Sequence, residues 1–171
     1  MIKSLKVFLV GMPSCGKSTL GKIVSEKTNL KMIDLDEEIA KLENQSIKKI
    51  FELKGESYFR EIENKILNKI INKNKSFIMA TGGGTPCFQN NIDLINKSGV
   101  SIYIYTSIDK LEKRLTDDTK RPLIKTDFIK KEFVNKLYNK RKVYYKKSKF
   151  ILSENKNQVE EIISIIDKLK A

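Results

Sequence analysis

The stretch GMPSCGKST, Gly11 to Thr19, follows the apolar run LKVFLV (Leu5 to Val10) and fits the pattern G-x-x-x-x-G-K-[ST]. In such a loop the glycines let the backbone curl until its N–H groups face phosphate oxygens, and the helix that opens next adds its positive end. Lys17 is spaced to reach the β- and γ-phosphates of a nucleoside triphosphate. Ser18 is spaced to offer a hydroxyl to Mg²⁺, and Thr19 to support the helix start. Strand, loop and helix come in the required order, so the loop residues Gly11, Met12, Pro13, Ser14, Cys15, Gly16, Lys17, Ser18 and Thr19 read as a nucleotide site. The open matter is where the terminal phosphate goes.

Four further stretches carry groups suited to answer it. DLDEE places Asp34 and Asp36 two residues apart at the end of a short apolar run. If the strand continues that far, both side chains project to one side. Phosphoryl transfer to a hydroxyl needs a carboxylate near the metal and a group that takes or orients the hydroxyl proton; the competing reading has Asp36 capping the helix after it. GESYFREIE sets Arg60 and Glu63 one helical turn apart, either a surface ion pair or an arginine held for an acidic substrate, with Phe59 shielding it. TGGGTP puts Gly82, Gly83 and Gly84 at a strand end, which suits backbone that approaches a ligand closely, or a flexible turn. No acid stands in FIMATGGG, so a metal must lean on Ser18, water and the Asp34/Asp36 pair. TKRPL carries Arg121 in a polar segment that reads as a lid, where an arginine can neutralise a migrating phosphoryl group.

These groups need a frame, and alternating periodicities supply one. Strands are expected at Leu5–Val10, Leu30–Asp34, Ser76–Ala80, Val100–Thr106 and Lys149–Leu152. Helices are expected at Lys17–Thr28, Glu37–Leu42, Ile47–Leu53, Tyr58–Ile71, Asp109–Leu115, Lys130–Lys147 and Gln158–Lys170, with a loop or lid over about 115–128. Strand and helix in alternation mean a parallel sheet with helices on both faces, and ligands beyond the carboxyl ends of its strands. The chemistry-bearing stretches fall on that rim.

The 171 residues suit one domain spanning 1–171. Two cysteines make no disulfide framework. The apolar start is too short for a signal peptide and no run is long enough to span a membrane, so the cytosol is the expected location. A net charge of +13 admits a nucleic-acid binder, but lysine spread over solvated helix faces explains it more simply. Thirty of the 34 basic residues are lysine, and only Arg60, Arg114, Arg121 and Arg141 are arginine. That scarcity fits arginine kept for phosphates and carboxylates, which need its planar fork, although chance surface placement reads equally well. By position, Arg114 is suited to stack on a base, and Arg141 to face either the pocket or solvent.

Taken together, GMPSCGKST, DLD, GESYFREIE, GGG, RPL and KRKVYY, in this order and spacing, resemble the shikimate kinases over nearly the whole chain. The resemblance implies a three-layer α/β/α fold with a five-stranded parallel sheet of the nucleoside monophosphate kinase type. It implies transfer of the γ-phosphate of ATP to the 3-hydroxyl of shikimate, with one Mg²⁺, in the route to chorismate. Carried across, it assigns Asp36 to the shikimate hydroxyls as base and Asp34, with Ser18, to the metal shell. Arg60 and Arg141 clamp the carboxylate, and Glu63 orients Arg60. Gly82, Gly83 and Gly84 line the pocket, whose substrate half spans about 34–63, and Phe51 and Phe59 form its apolar wall. Arg121 falls on the phosphates and Arg114 beside adenine. Two departures stand out: PSC replaces the usual glycine and small residues of the phosphate loop, and no glycine follows residue 99 to hinge the lid.

Rival readings are distinct. A gluconate kinase must meet an open-chain carboxylate, a nucleoside monophosphate kinase usually carries GKGT in the loop, and a regulatory or nucleic-acid-binding ATP protein shows salt-dependent binding with no acceptor. A monomer without nucleic-acid or membrane partners is expected. Cys15, beside Lys17 and a helix N-terminus, is either a reactive thiol or a small side chain that fills space.

Overall fold

The computed structural model describes residues 4–116, 127–154 and 157–170. Strands β1 (Lys6–Val10), β2 (Met32–Asp34), β3 (Phe77–Ala80), β4 (Val100–Ile104) and β5 (Phe150–Leu152) pair in parallel, in the order β2-β3-β1-β4-β5. Between and after them run α1 (Lys17–Thr28), α2 (Leu35–Glu43), α3 (Ile47–Lys73), α4 (Asn91–Ser98), α5 (Ile108–Thr116), α6 (Asp127–Tyr145) and α7 (Gln158–Lys170). One 3-10 turn spans Thr85–Cys87.

The period-2 geometry of β1 divides the core into two layers of contact. Val7 and Leu9 pack with Val24 of α1 and with Ile162 and Ile166 of α7. Phe8 turns the other way, onto Ile39 of α2, Leu67 of α3 and Ile95 of α4, and meets Phe77 edge to face at 5.3 Å. Helices therefore cover both faces, which is why the central strand reads as an unbroken apolar run.

Two local features differ from the sequence reading, and one bears it out. Strand β2 stops at Asp34 and α2 opens at Leu35, so Asp34, not Asp36, caps the helix: its Oδ1 accepts from the N–H groups of Asp36 (3.1 Å) and Glu37 (3.4 Å). The two carboxylates thus do not share one strand: Asp34 ends β2 and Asp36 lies in the first turn of α2. Helix α3 is two helices meeting across a kink at Gly55 (φ 80, ψ 173), a left-handed conformation open to glycine, which agrees with the separate helices expected at 47–53 and 58–71. Helix α4 was not expected, because NNIDLINKS is short and polar; its buried positions are Asn91, Ile92 and Ile95.

Candidate active site

The loops after β1, β2 and β3 meet on the carboxyl rim of the sheet, the place where open parallel sheets bind ligands. A cavity of about 80 Å³ there is lined by Pro13, Ser14, Lys17, Ser18, Asp34, Asp36, Thr81 and Gly83. A larger hollow of about 410 Å³ lies between β2, α2 and α3, but it is rimmed by Lys31, Lys41, Lys69 and Lys73 and shares no residue with the rim loops. The smaller cavity is the one that brings the phosphate-loop lysine together with Asp34 and Asp36.

On its nucleotide-loop side, Lys17 is buried and docked on the loop itself. Its Nζ donates to the carbonyls of Gly11 (3.0 Å) and Met12 (2.7 Å), with the Cys15 Sγ at 3.6 Å. Cys15 is buried in the core beside it, as a space-filling side chain would be. Ser18 donates its hydroxyl to Asp34 Oδ2 at 2.5 Å. Asp34 therefore has one oxygen committed to capping α2 and the other to the start of α1. Thr19 is exposed on the first turn of α1. Arg114, on α5, lies over the loop and donates to the Ser14 carbonyl at 3.2 Å. Arg121 and most of the expected lid fall outside the described residues.

Across the cavity stands a second assembly, built on α3. Arg60 is buried, and its Nη1 donates to Glu63 Oε2 at 2.8 Å, while Nε and Nη2 both reach Glu56 Oε1 at 3.2 and 3.0 Å. Its guanidinium lies over three aromatic rings, Phe51 at 5.9 Å, Phe59 at 5.0 Å and Phe88 at 4.2 Å, an arrangement that holds a cation by the ring faces. Glu63 is fully buried and accepts from the Thr85 hydroxyl at 2.6 Å. Burial pushes its carboxyl above the usual carboxylate value, against the pull of Arg60 and Thr85; Asp36 adds a smaller push in the same direction. The pair is thus an interior one rather than the surface ion pair that spacing alone allowed.

The three glycines join the two halves. A Cβ on Gly82 would stand 2.9 Å from Asp36 Oδ1 and Thr85 Oγ1, and one on Gly83 would stand 2.6 Å from Pro13. On Gly84 it would meet the Arg60 guanidinium at 2.5 Å. The run is bare, then, because the protein's own side chains press against it.

Helix α6 closes the far side. Tyr145 donates its hydroxyl to the Gly83 carbonyl at 2.6 Å, and Arg141 lies half-buried one turn earlier on the same helix. Burial pushes the Cys87 thiol up to about 11, while the Arg141 and Arg60 guanidiniums both act to lower it. Arg60 and Arg141, 81 positions apart in sequence, thus both act on the Cys87 thiol. Sequence reasoning missed Glu56, Thr85, Phe88 and Tyr145. Glu56 alone carried a local signal, four residues before Arg60 on the same helix; the other three act through contacts that no spacing announces.

Comparison with known proteins agrees with this geometry. The family model described as shikimate kinase matches residues 13–170. The shikimate kinase of Sulfurihydrogenibium sp. is 38% identical over 165 residues, covering 96% of this chain and 97% of that protein. The crystal structure of shikimate kinase from Bacteroides thetaiotaomicron superposes with a TM-score of 0.86 at 30% identity, over 96% of this chain and 97% of its own. That of the Acinetobacter baumannii shikimate kinase, in complex with shikimate, gives a TM-score of 0.88 at 26% identity, over 99% and 97%.

Proposed function

Because this chain belongs to the shikimate kinase family, we infer its reaction from the site just described: it transfers the γ-phosphate of ATP to the 3-hydroxyl of shikimate, giving shikimate 3-phosphate and ADP. The observation that carries this reading is the buried Arg60, held by Glu63 and three aromatic rings on the same rim as the phosphate loop. An acceptor with a carboxylate and neighbouring hydroxyls matches a guanidinium beside an aspartate; AMP does not.

The roles follow from chemistry and place. The 3-hydroxyl oxygen attacks the γ-phosphorus in line, the bond to the β–γ bridging oxygen breaks, and the hydroxyl proton passes to Asp36. No covalent enzyme intermediate is formed. Lys17 leaves the Gly11 and Met12 carbonyls for the phosphates, and Arg121 is assigned to the same phosphates by its place in the sequence. Residues Gly11 to Thr19 hold ATP, with Arg114 beside its adenine. Arg60 and Arg141 grip the carboxylate of shikimate; Phe51, Phe59 and Gly82 to Gly84 wall its pocket. The Ser18 hydroxyl and Asp34 carboxylate, 2.5 Å apart, make an oxygen donor set that fits Mg²⁺, which takes one or two protein oxygens and completes its shell with phosphate and water. Bound there with ATP, the ion would neutralise phosphate charge. This reading has a cytosolic monomer with no nucleic-acid partner. Among the described residues no helix is long and apolar enough to cross a membrane.

The reading is tested by ADP release with Mg-ATP and shikimate, gluconate, AMP or no acceptor. Stimulation by shikimate alone is expected; stimulation by another acceptor alone would overturn the substrate assignment.

Two results are expected from the way the rim is packed. Gly84→Ala forces Arg60 aside and should raise the KM for shikimate, whereas Gly83→Ala pushes Pro13 and should raise the KM for ATP. Overpacking at about 1–2 kcal/mol makes each effect roughly five- to thirtyfold. Identical patterns in the two variants would contradict the division of labour.

A pH effect follows from Glu63. Below its raised pKa the carboxyl is protonated and no longer holds Arg60 as an ion, so shikimate affinity is present above that pKa and lost as pH falls through it. The acid limb of kcat/KM for shikimate should lie above the ordinary carboxylate range and flatten in Glu63→Gln. An unshifted limb in that variant would assign it elsewhere.

A further inference from the structure

The hollow of about 410 Å³ between β2, α2 and α3 has no part in the reaction just described. Its volume falls in the range of small-molecule sites, about 300–1,000 Å³. Its walls are of two kinds. Met32 and Ile33 of β2 and Ile66 and Ile70 of α3 are apolar, and Leu42 of α2 joins them while 56% exposed. Strand β2 is an edge strand paired only with β3, so no further strand covers this end of the sheet. The rest of the lining is charged. Glu38, its one carboxylate, is already matched by Lys41 at 3.3 Å. Lys31, Lys69 and Lys73 are exposed, and none of them has a carboxylate partner among the described residues.

The end of α3 shows how the two kinds of wall are set side by side. Ile66 and Ile70 are four residues apart, and so are Lys69 and Lys73; helical spacing stacks each pair as a row, one buried and one exposed. Like charges at that spacing repel each other, a cost that an anion between them would reverse. We propose that this hollow is a second ligand site, for a small organic carboxylate with an apolar body. Its hydrocarbon lies against Met32, Ile66, Ile70 and Leu42, and its carboxylate meets the ammonium groups of Lys31, Lys69 and Lys73. Charge complementarity selects the head group, and an ammonium, a compact point charge on a flexible stem, needs no fixed fork to meet it. The apolar wall selects the body, because an inorganic anion would leave that wall in water. A concave hollow of this volume suits a small molecule rather than the face of another protein. It shares no residue with the cavity that holds Lys17 and Asp36, so the proposal does not rest on the reaction assigned above.

The test is equilibrium dialysis of the full chain against octanoate, octanamide and acetate, which separate charge from apolar body. Octanoate is expected to bind once per chain, octanamide about tenfold more weakly, and acetate without saturation. Reversing two exposed charges, Lys69→Glu with Lys73→Glu, should raise the octanoate Kd about tenfold and leave octanamide little changed. Leu42→Gln, also at an exposed position, should weaken both. Unfolding midpoints near the parent's show that the variants are folded. Saturating shikimate and Mg-ATP should leave octanoate bound; its displacement would seat it in the acceptor cavity and overturn the second site. Equal affinity for acid and amide would overturn the anion assignment, as would an unchanged octanoate Kd in the charge-reversed pair. Absence of saturable octanoate binding to the parent protein would end the proposal while leaving the kinase reading intact.

Discussion

Asp36→Asn should lower kcat by roughly 10²- to 10⁴-fold, the contribution of a placed general base, while the KM for ATP stays within a few-fold of the parent value. The substitution keeps the shape of the side chain and removes its capacity to take a proton. Asp36 stands near the start of α2, against Gly82, where its Oδ1 is 2.9 Å from the place a Cβ would occupy. It faces the cavity that also contains Lys17 and Ser18. Its role differs from that of Asp34, whose two oxygens already serve Ser18 and the end of α2. Asp34→Asn is for that reason a poor control, since it disturbs a cap as well as a metal ligand. Steady-state ADP release with varied ATP and shikimate separates the cases. Turnover near the parental rate in Asp36→Asn would end the assignment of the base.

Arg60→Lys should raise the KM for shikimate about ten- to 150-fold, as expected for a lost charge-assisted bond of about 1.5–3 kcal/mol, with the KM for ATP nearly constant. The count of donors explains why a conservative change is so costly. Arginine has five N–H donors. Three are used within the protein, Nε and one of Nη2 on Glu56 and one of Nη1 on Glu63. That leaves one on each terminal nitrogen, a pair suited to a carboxylate. A lysine ammonium has three in all, and after meeting the two glutamates it has one to offer. Shikimate methyl ester gives the matching test from the other side: the Arg60→Lys penalty should shrink for an acceptor that has no carboxylate charge. An equal penalty for acid and ester would place the carboxylate elsewhere.

The phosphate loop and the five strands were legible because their signals are local: apolar runs of strand length, and a loop whose residues lie next to one another. Arg60 and Glu63 were legible as a pair because helical spacing puts them on one face. What spacing could not give was their depth, which depends on Phe88 and Thr85 arriving from beyond β3. The Asp34 and Asp36 roles turned on where β2 ends, a matter of one residue, and the cap went to the first aspartate. Helix α4 was too short and polar to show a period. The glycine run was read as room for a ligand, whereas Pro13, Arg60 and Asp36 occupy much of that room themselves. Contacts between segments 62 and 133 residues apart, those of Tyr145 with Gly83 and with Met12, have no trace in either segment taken alone.

The partition of positive charge also bears on how the molecule can be handled. Lysine supplies the outer charge, whereas Arg60 is buried, Arg141 is half-buried and Arg114 is bonded to the phosphate loop. A solvent-facing coat of one residue type can be recoloured wholesale. Exchanging exposed lysines for glutamine or glutamate would move the isoelectric point, now near 9.6, and change elution from an ion exchanger and solubility with salt. Lys17, buried against the phosphate loop, lies outside such a scheme. Guanidine-selective reagents, by contrast, meet four targets in the whole chain, and the described ones lie at or beneath the rim of the cavity.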